Sequence, residues 1–76
     1  MEQFRVKGKI RKNGIRRYEI VEADGFRYEL RSGDGVEIKI GNEWIKTSIE
    51  NSNRYGGYYA VACPRMDLTG VEARVR

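Results

Sequence analysis

Seventy-six residues allow one small domain, residues 1–76, whose margin of stability is thin because a chain this short buries only about 60–65% of its unfolded surface. With no histidine and a single cysteine, Cys63, the commonest general base, the commonest metal ligand and an intrachain disulfide are all missing, and no apolar window nears the roughly 18 residues of a membrane span. The formal charge of +4 lies wholly in residues 1–31, with nine bases against five acids, while residues 32–76 hold six of each.

The chain alternates in short runs separated by glycine-containing turns, and no i, i+3, i+4, i+7 apolar stripe marks a helix. The first strand, Phe4 to Arg11, sets Phe4, Val6, Gly8 and Ile10 against Arg5, Lys7, Lys9 and Arg11 at period two, so every cation shares one face. From Arg5 to Arg17 there are seven basic residues and no acid. The second strand, Ile15 to Val21, follows a turn at Asn13-Gly14. A three-residue loop with Gly14 left-handed pairs Arg11 with Ile15 and Val6 with Ile20, which segregates polar from apolar better than a two-residue loop. Its cost is Lys9 opposite Arg17.

Asp24-Gly25 turns into a third strand with Phe26, Tyr28 and Leu30 inward, and Ser32 to Gly35 into a fourth with Val36, Ile38 and Ile40 inward. The fifth strand, Trp44 to Glu50, puts Ile45, Thr47 and Ile49 on one face and Trp44 on the other. A polar loop, Asn51 to Gly57, precedes a sixth strand in which Tyr59, Val61 and Cys63 make the better core set and leave Tyr58 near the surface. Pro64 to Gly70 connects to a last strand with Val71, Ala73 and Val75 on one side. Six or seven short strands must curl to enclose a core, so the expected fold is all-β, a small SH3-like antiparallel barrel without substantial helix.

Several of these runs together resemble an uncharacterised family of small proteins from Gram-positive bacteria and their mobile elements. The resemblance rests on Gly8-Lys9-Ile10, Arg17-Tyr18-Glu19-Ile20, Gly33-Asp34-Gly35-Val36-Glu37, Trp44 to Glu50, Tyr58-Tyr59 and Leu68 to Val75, about residues 8–75. It implies an SH3-like fold and supplies no catalytic residues. The first strand is more basic here than in the family pattern.

The chemistry that remains is recognition. Carboxylates fall at turns or outward positions, as solvating charges do, and no glycine spacing cradles a phosphate ahead of a helix. Cys63, in an apolar run, reads as a buried structural thiol. No catalytic residue, metal site, cofactor, small-molecule substrate or membrane contact is expected. A lone thiol without an apolar leader-like run points to the cytoplasm. The leading expectation is a non-enzymatic module that binds nucleic-acid backbone with little sequence preference. Arg5, Lys7, Lys9, Arg11 and Arg17 would neutralise phosphates, and Trp44 or Tyr58 would stack on bases. The alternative is capture of a host or mobile-element protein by Trp44, Tyr55 and Tyr58 with Arg54 between them, or self-association through an edge strand. For Trp44 there is a plain structural option as well, covering the open end of a barrel too small to close alone.

Overall fold

Period-two alternation builds the first element as expected: β1, Val6–Lys12, turns Val6 and Ile10 into the core and leaves Lys7, Lys9 and Arg11 exposed. The computed structural model describes residues 4–76; the first three residues of the expected domain lie outside the described residues. After β1 come β2 (Tyr18–Val21), β3 (Arg27–Glu29), β4 (Gly35–Ile40), β5 (Glu43–Ser52), β6 (Gly57–Ala60) and β7 (Glu72–Val75). They form one antiparallel sheet in the order β3-β2-β1-β7-β4-β5-β6, curled into a half-barrel that is consistent with a small SH3-like barrel. The fold is all-β, and among the described residues the one helical turn is the 3-10 segment Asn53–Tyr55.

The curl depends on β1 serving two neighbours. Its first half, Val6 to Lys9, pairs with β7, and its second half, Lys9 to Lys12, pairs with β2. Gly8 stands where the strand passes from one partner to the other. A Cβ there would fall on the carbonyl oxygen of Val21, so only glycine lets the two backbones approach this closely. The inner face closes over Ile10, Ile20, Leu30, Ile38, Ile49 and Leu68, each fully buried. Burying such a side chain contributes about 1.5–3 kcal/mol, and a domain this small has few of them to lose.

The first hairpin departs from the expected register. Ile10 pairs with Ile20 and Arg11 with Glu19, a shift of four residues, and the loop runs from Asn13 to Arg17. Asn13 decides this: its Oδ1 accepts from the N–H groups of Ile15 and Arg17, and its backbone N–H bonds the Arg17 carbonyl. The residue with left-handed backbone is then Arg16, at φ 64°, and not Gly14. Because the slip is even, every side chain keeps its face. The repulsive Lys9–Arg17 pairing disappears, and Arg11 meets Glu19 instead.

Three inward expectations are overturned by position. Phe26 belongs to the turn before β3 and is 52% exposed; Ile40, at the end of β4, is 38% exposed. In β6 the faces are reversed. Ile49 opposite Ala60 puts Ala60 and Tyr58 inward, while Tyr59 faces outward opposite Glu50. The strand ends at Ala60, leaving Val61 half-exposed and Cys63 half-buried in the following turn, closed by its N–H to the Ala60 carbonyl.

Candidate nucleic-acid interface

Register puts the odd residues of β1 and Trp44 of β5 on the outer face of the sheet, together with Glu19, Glu29, Glu37 and Glu72. Arg11 pairs with Glu19 at 3.1 Å and Arg17 with Glu29 at 3.0 Å, so two of the five expected phosphate ligands are occupied by carboxylates. Arg5 donates through Nε to the Arg76 carbonyl at 2.8 Å. The ammonium groups of Lys7 and Lys9 form no ion pair among the described residues, and both border an outer hollow of about 500 Å³ floored by Gly8, Val21, Ala23 and Trp44. The outer face is therefore a mixed field of paired and open cations and not a continuous cationic plate.

Trp44 does not cap the barrel. It lies half-buried on the outer face, with the Arg74 guanidinium 3.8 Å from its ring and 4.1 Å from that of Phe4. Arg74 is in turn held by Glu37 through Nη2 at 2.8 Å and Nε at 3.1 Å. Glu37 is only 8% exposed, so this carboxylate is viable because Arg74, with Arg76 at 3.6 Å, neutralises it. Stacked guanidinium and buried carboxylate lock each other.

Tyr58 pairs with Asn51 at the far end of β5 and faces inward, so the platform expected of Trp44, Tyr55 and Tyr58 does not assemble. Tyr58 instead joins Tyr18 and Tyr55 in a groove of about 410 Å³ at the mouth of the half-barrel. The last rung of the first hairpin, Lys12 opposite Tyr18, makes one wall. The turn Asn53–Tyr55, capped by the Ser52 hydroxyl accepting from the Arg54 N–H, makes the second. Pro64 to Asp67 makes the third, pinned to the hairpin where the Leu68 N–H donates to the Tyr18 hydroxyl at 3.4 Å.

Cations stand over each of the three rings: Lys12 at 5.3 Å from Tyr18, Arg17 at 5.7 Å from Tyr58, and Arg54 and Arg65 at 5.8 and 5.9 Å from Tyr55. Arg17 alone among these four is ion-paired among the described residues. The one acid in the lining is Asp67, whose carboxyl is held below its usual range chiefly by the Thr69 N–H, then by the Thr69 hydroxyl and the charge of Lys12. Cys63 lies apart from this chemistry, its thiol pushed up by burial. Alternation alone does not single out Lys12, Tyr18 or Arg65: Lys12 reads as turn, Tyr18 as core, Arg65 as connector.

The comparisons with known proteins bear on the same span. Residues 8–75 match the family described as Domain of unknown function (DUF5348). The chain belongs to that family. Its matched span includes β1 from Gly8 onward, Trp44, all three groove tyrosines and Arg74, and it brings no assigned activity. Neither the curated proteins nor the solved structures give a match. No helix of the chain, among the described residues, is long and apolar enough to cross a membrane.

Proposed function

We propose that this DUF5348 chain is a non-enzymatic module that binds nucleic acid through the phosphate backbone, with little sequence preference, using its basic N-terminal hairpin. One observation carries the reading. The hairpin and the two segments facing its tip collect Lys12, Arg54 and Arg65 around tyrosine rings, none of the three in an ion pair among the described residues and Asp67 the one acid in the groove's lining. Unpaired cations beside aromatic faces are what phosphate and base contacts together require. Lys7 and Lys9, open on the outer side of the same hairpin, extend the positive path, while Arg11 and Arg17 neutralise the sheet's own Glu19 and Glu29. Titration of a fluorescent oligonucleotide over a salt series tests it. Each phosphate contact adds about −0.7 to −0.9 to the log–log slope. Micromolar-range binding with a slope of several such contacts supports the reading, and no binding at low salt ends it.

A second reading, capture of a protein partner, has one observation in its favour: the outer hollow at Val21, Ala23 and Trp44 is mostly apolar, rimmed by Lys7, Lys9 and Glu72. A pull-down that survives Lys12, Arg54 and Arg65 replacement but is lost in Trp44→Ala would favour it over nucleic acid.

A further inference from the structure

Resting on that nucleic-acid reading, we infer that the mouth groove takes unpaired nucleotides, stacking bases on Tyr55 and Tyr58, and that the protein therefore prefers single strands to duplex. The rings are half-buried between the 3-10 turn, the hairpin and the segment from Pro64, so their faces are recessed. A duplex keeps its bases stacked inside and offers phosphates at its surface, and recessed rings are beyond its reach. A base splayed from a single strand enters such a hollow, and stacking tolerates any sequence because every base has a π-face.

Tyr58 is placed for two successive nucleotides. It forms part of the 410 Å³ groove and also of an adjoining hollow of about 360 Å³ beside Ile15 and Arg16, with Lys12 and Gly56 common to both. A strand crossing the shared wall lays one base on each side. Tyr55 is braced by Tyr59, ring centroids 4.6 Å apart with a tilt of 49°, which pre-orders the stacking surface. The cations over the rings stand at 5.3 to 5.9 Å, near the outer reach of a cation–π contact, and Lys12, Arg54 and Arg65, in no ion pair among the described residues, can turn to the phosphates joining the bases. Gly56 at φ 79° and Gly57 at φ 130° shape the rim between the hollows, where no side chain projects.

The test compares three labelled probes of equal length on the full chain: oligothymidylate, a duplex, and a strand of abasic sites. Oligothymidylate is expected to bind about 5- to 150-fold tighter than the other two, the factor that one stacked base contributes. Tyr55→Leu should bring oligothymidylate part of the way down to the abasic level, Tyr58 keeping its own base, with an unchanged salt slope, and Tyr55→Phe should keep the wild-type affinity. An abasic strand or a duplex that binds as tightly as oligothymidylate overturns the inference while leaving backbone binding intact. Failure of all three probes to bind overturns both. The probe comparison needs no variant, so it decides even where Tyr55→Leu does not fold.

Discussion

Two aromatic-cation clusters sit on this small sheet, and they are built in opposite ways. On the outer face Arg74 lies 3.8 Å from Trp44 and 4.1 Å from Phe4 and is fastened by a nearly buried Glu37, and the two cations farther out over the same rings, Lys39 and Arg76, are ion-paired as well. At the mouth, four cations hover beyond 5 Å over three tyrosines, and Arg17 alone of them is in an ion pair among the described residues, with Asp67 the one acid in the groove's lining. The first cluster has spent its electrostatics internally and works as structure. The second leaves positive charge unanswered at a solvent-facing groove. Proximity of aromatics and bases is thus no sign of a binding site by itself; what separates the cases is whether a carboxylate completes the set.

That contrast breaks most readily where both clusters depend on the path of β1. Gly8→Val sets a side chain against the Val21 carbonyl and is expected to destabilise the fold by about 3 kcal/mol or more, read from urea denaturation. A normal midpoint would show that the crossing of β1 between β7 and β2 is not tight. Next in size is Arg74→Ala, which strands the Glu37 carboxylate and uncovers Trp44. A loss of about 2–3 kcal/mol is expected, less than for a fully isolated buried pair because Arg76 remains at 3.6 Å, and oligonucleotide affinity should hardly change.

The mouth cluster should behave in reverse. Arg54→Ala combined with Arg65→Ala is expected to shift stability by no more than about 0.5 kcal/mol, while the salt dependence of single-strand binding becomes shallower by about 0.7 per residue removed. A large stability loss with an unchanged slope would make these arginines structural, like Arg74.

Asp67→Asn gives the smallest effect. Removing the groove's one carboxylate should raise oligonucleotide affinity roughly two- to five-fold, since it repels phosphates at short range. The pH dependence follows from the lowered Asp67 pKa. Its small contribution to stability is present above the unfolded pKa and lost as pH falls through the folded value, so nucleic-acid affinity should not climb on its account until the pH drops below the usual carboxylate range near 4. Affinity that rises already at mildly acidic pH in the wild type and not in Asp67→Asn would contradict the hydrogen bonds from Thr69.

Which face each residue takes was legible along most of the chain, because alternation is local geometry: two residues per repeat, whatever the neighbours do. Val6 and Ile10 inside, Lys7 and Lys9 outside, Trp44 opposite Ile45 and Ile49, all follow from it. It failed at Phe26, just before β3 begins, at Ile40, the last residue of β4, and at Tyr58 and Tyr59, where two adjacent tyrosines offer the alternation no preference and only the pairing of Ile49 with Ala60 chooses. Register itself was beyond reach in the first hairpin, since a four-residue slip preserves every face and the choice rests on the side-chain hydrogen bonds of Asn13.

Composition and period by themselves determined an all-β chain with a cationic first ribbon. Only the curled sheet decided which cations find carboxylates, because Arg11 meets Glu19 through the register of one hairpin and Arg74 meets Glu37 across strands distant in sequence. The same folding brought Lys12, Tyr55 and Arg65 around one hollow. Charge neutralisation and ring contacts act over a few ångströms in space, and a linear pattern carries no such distances.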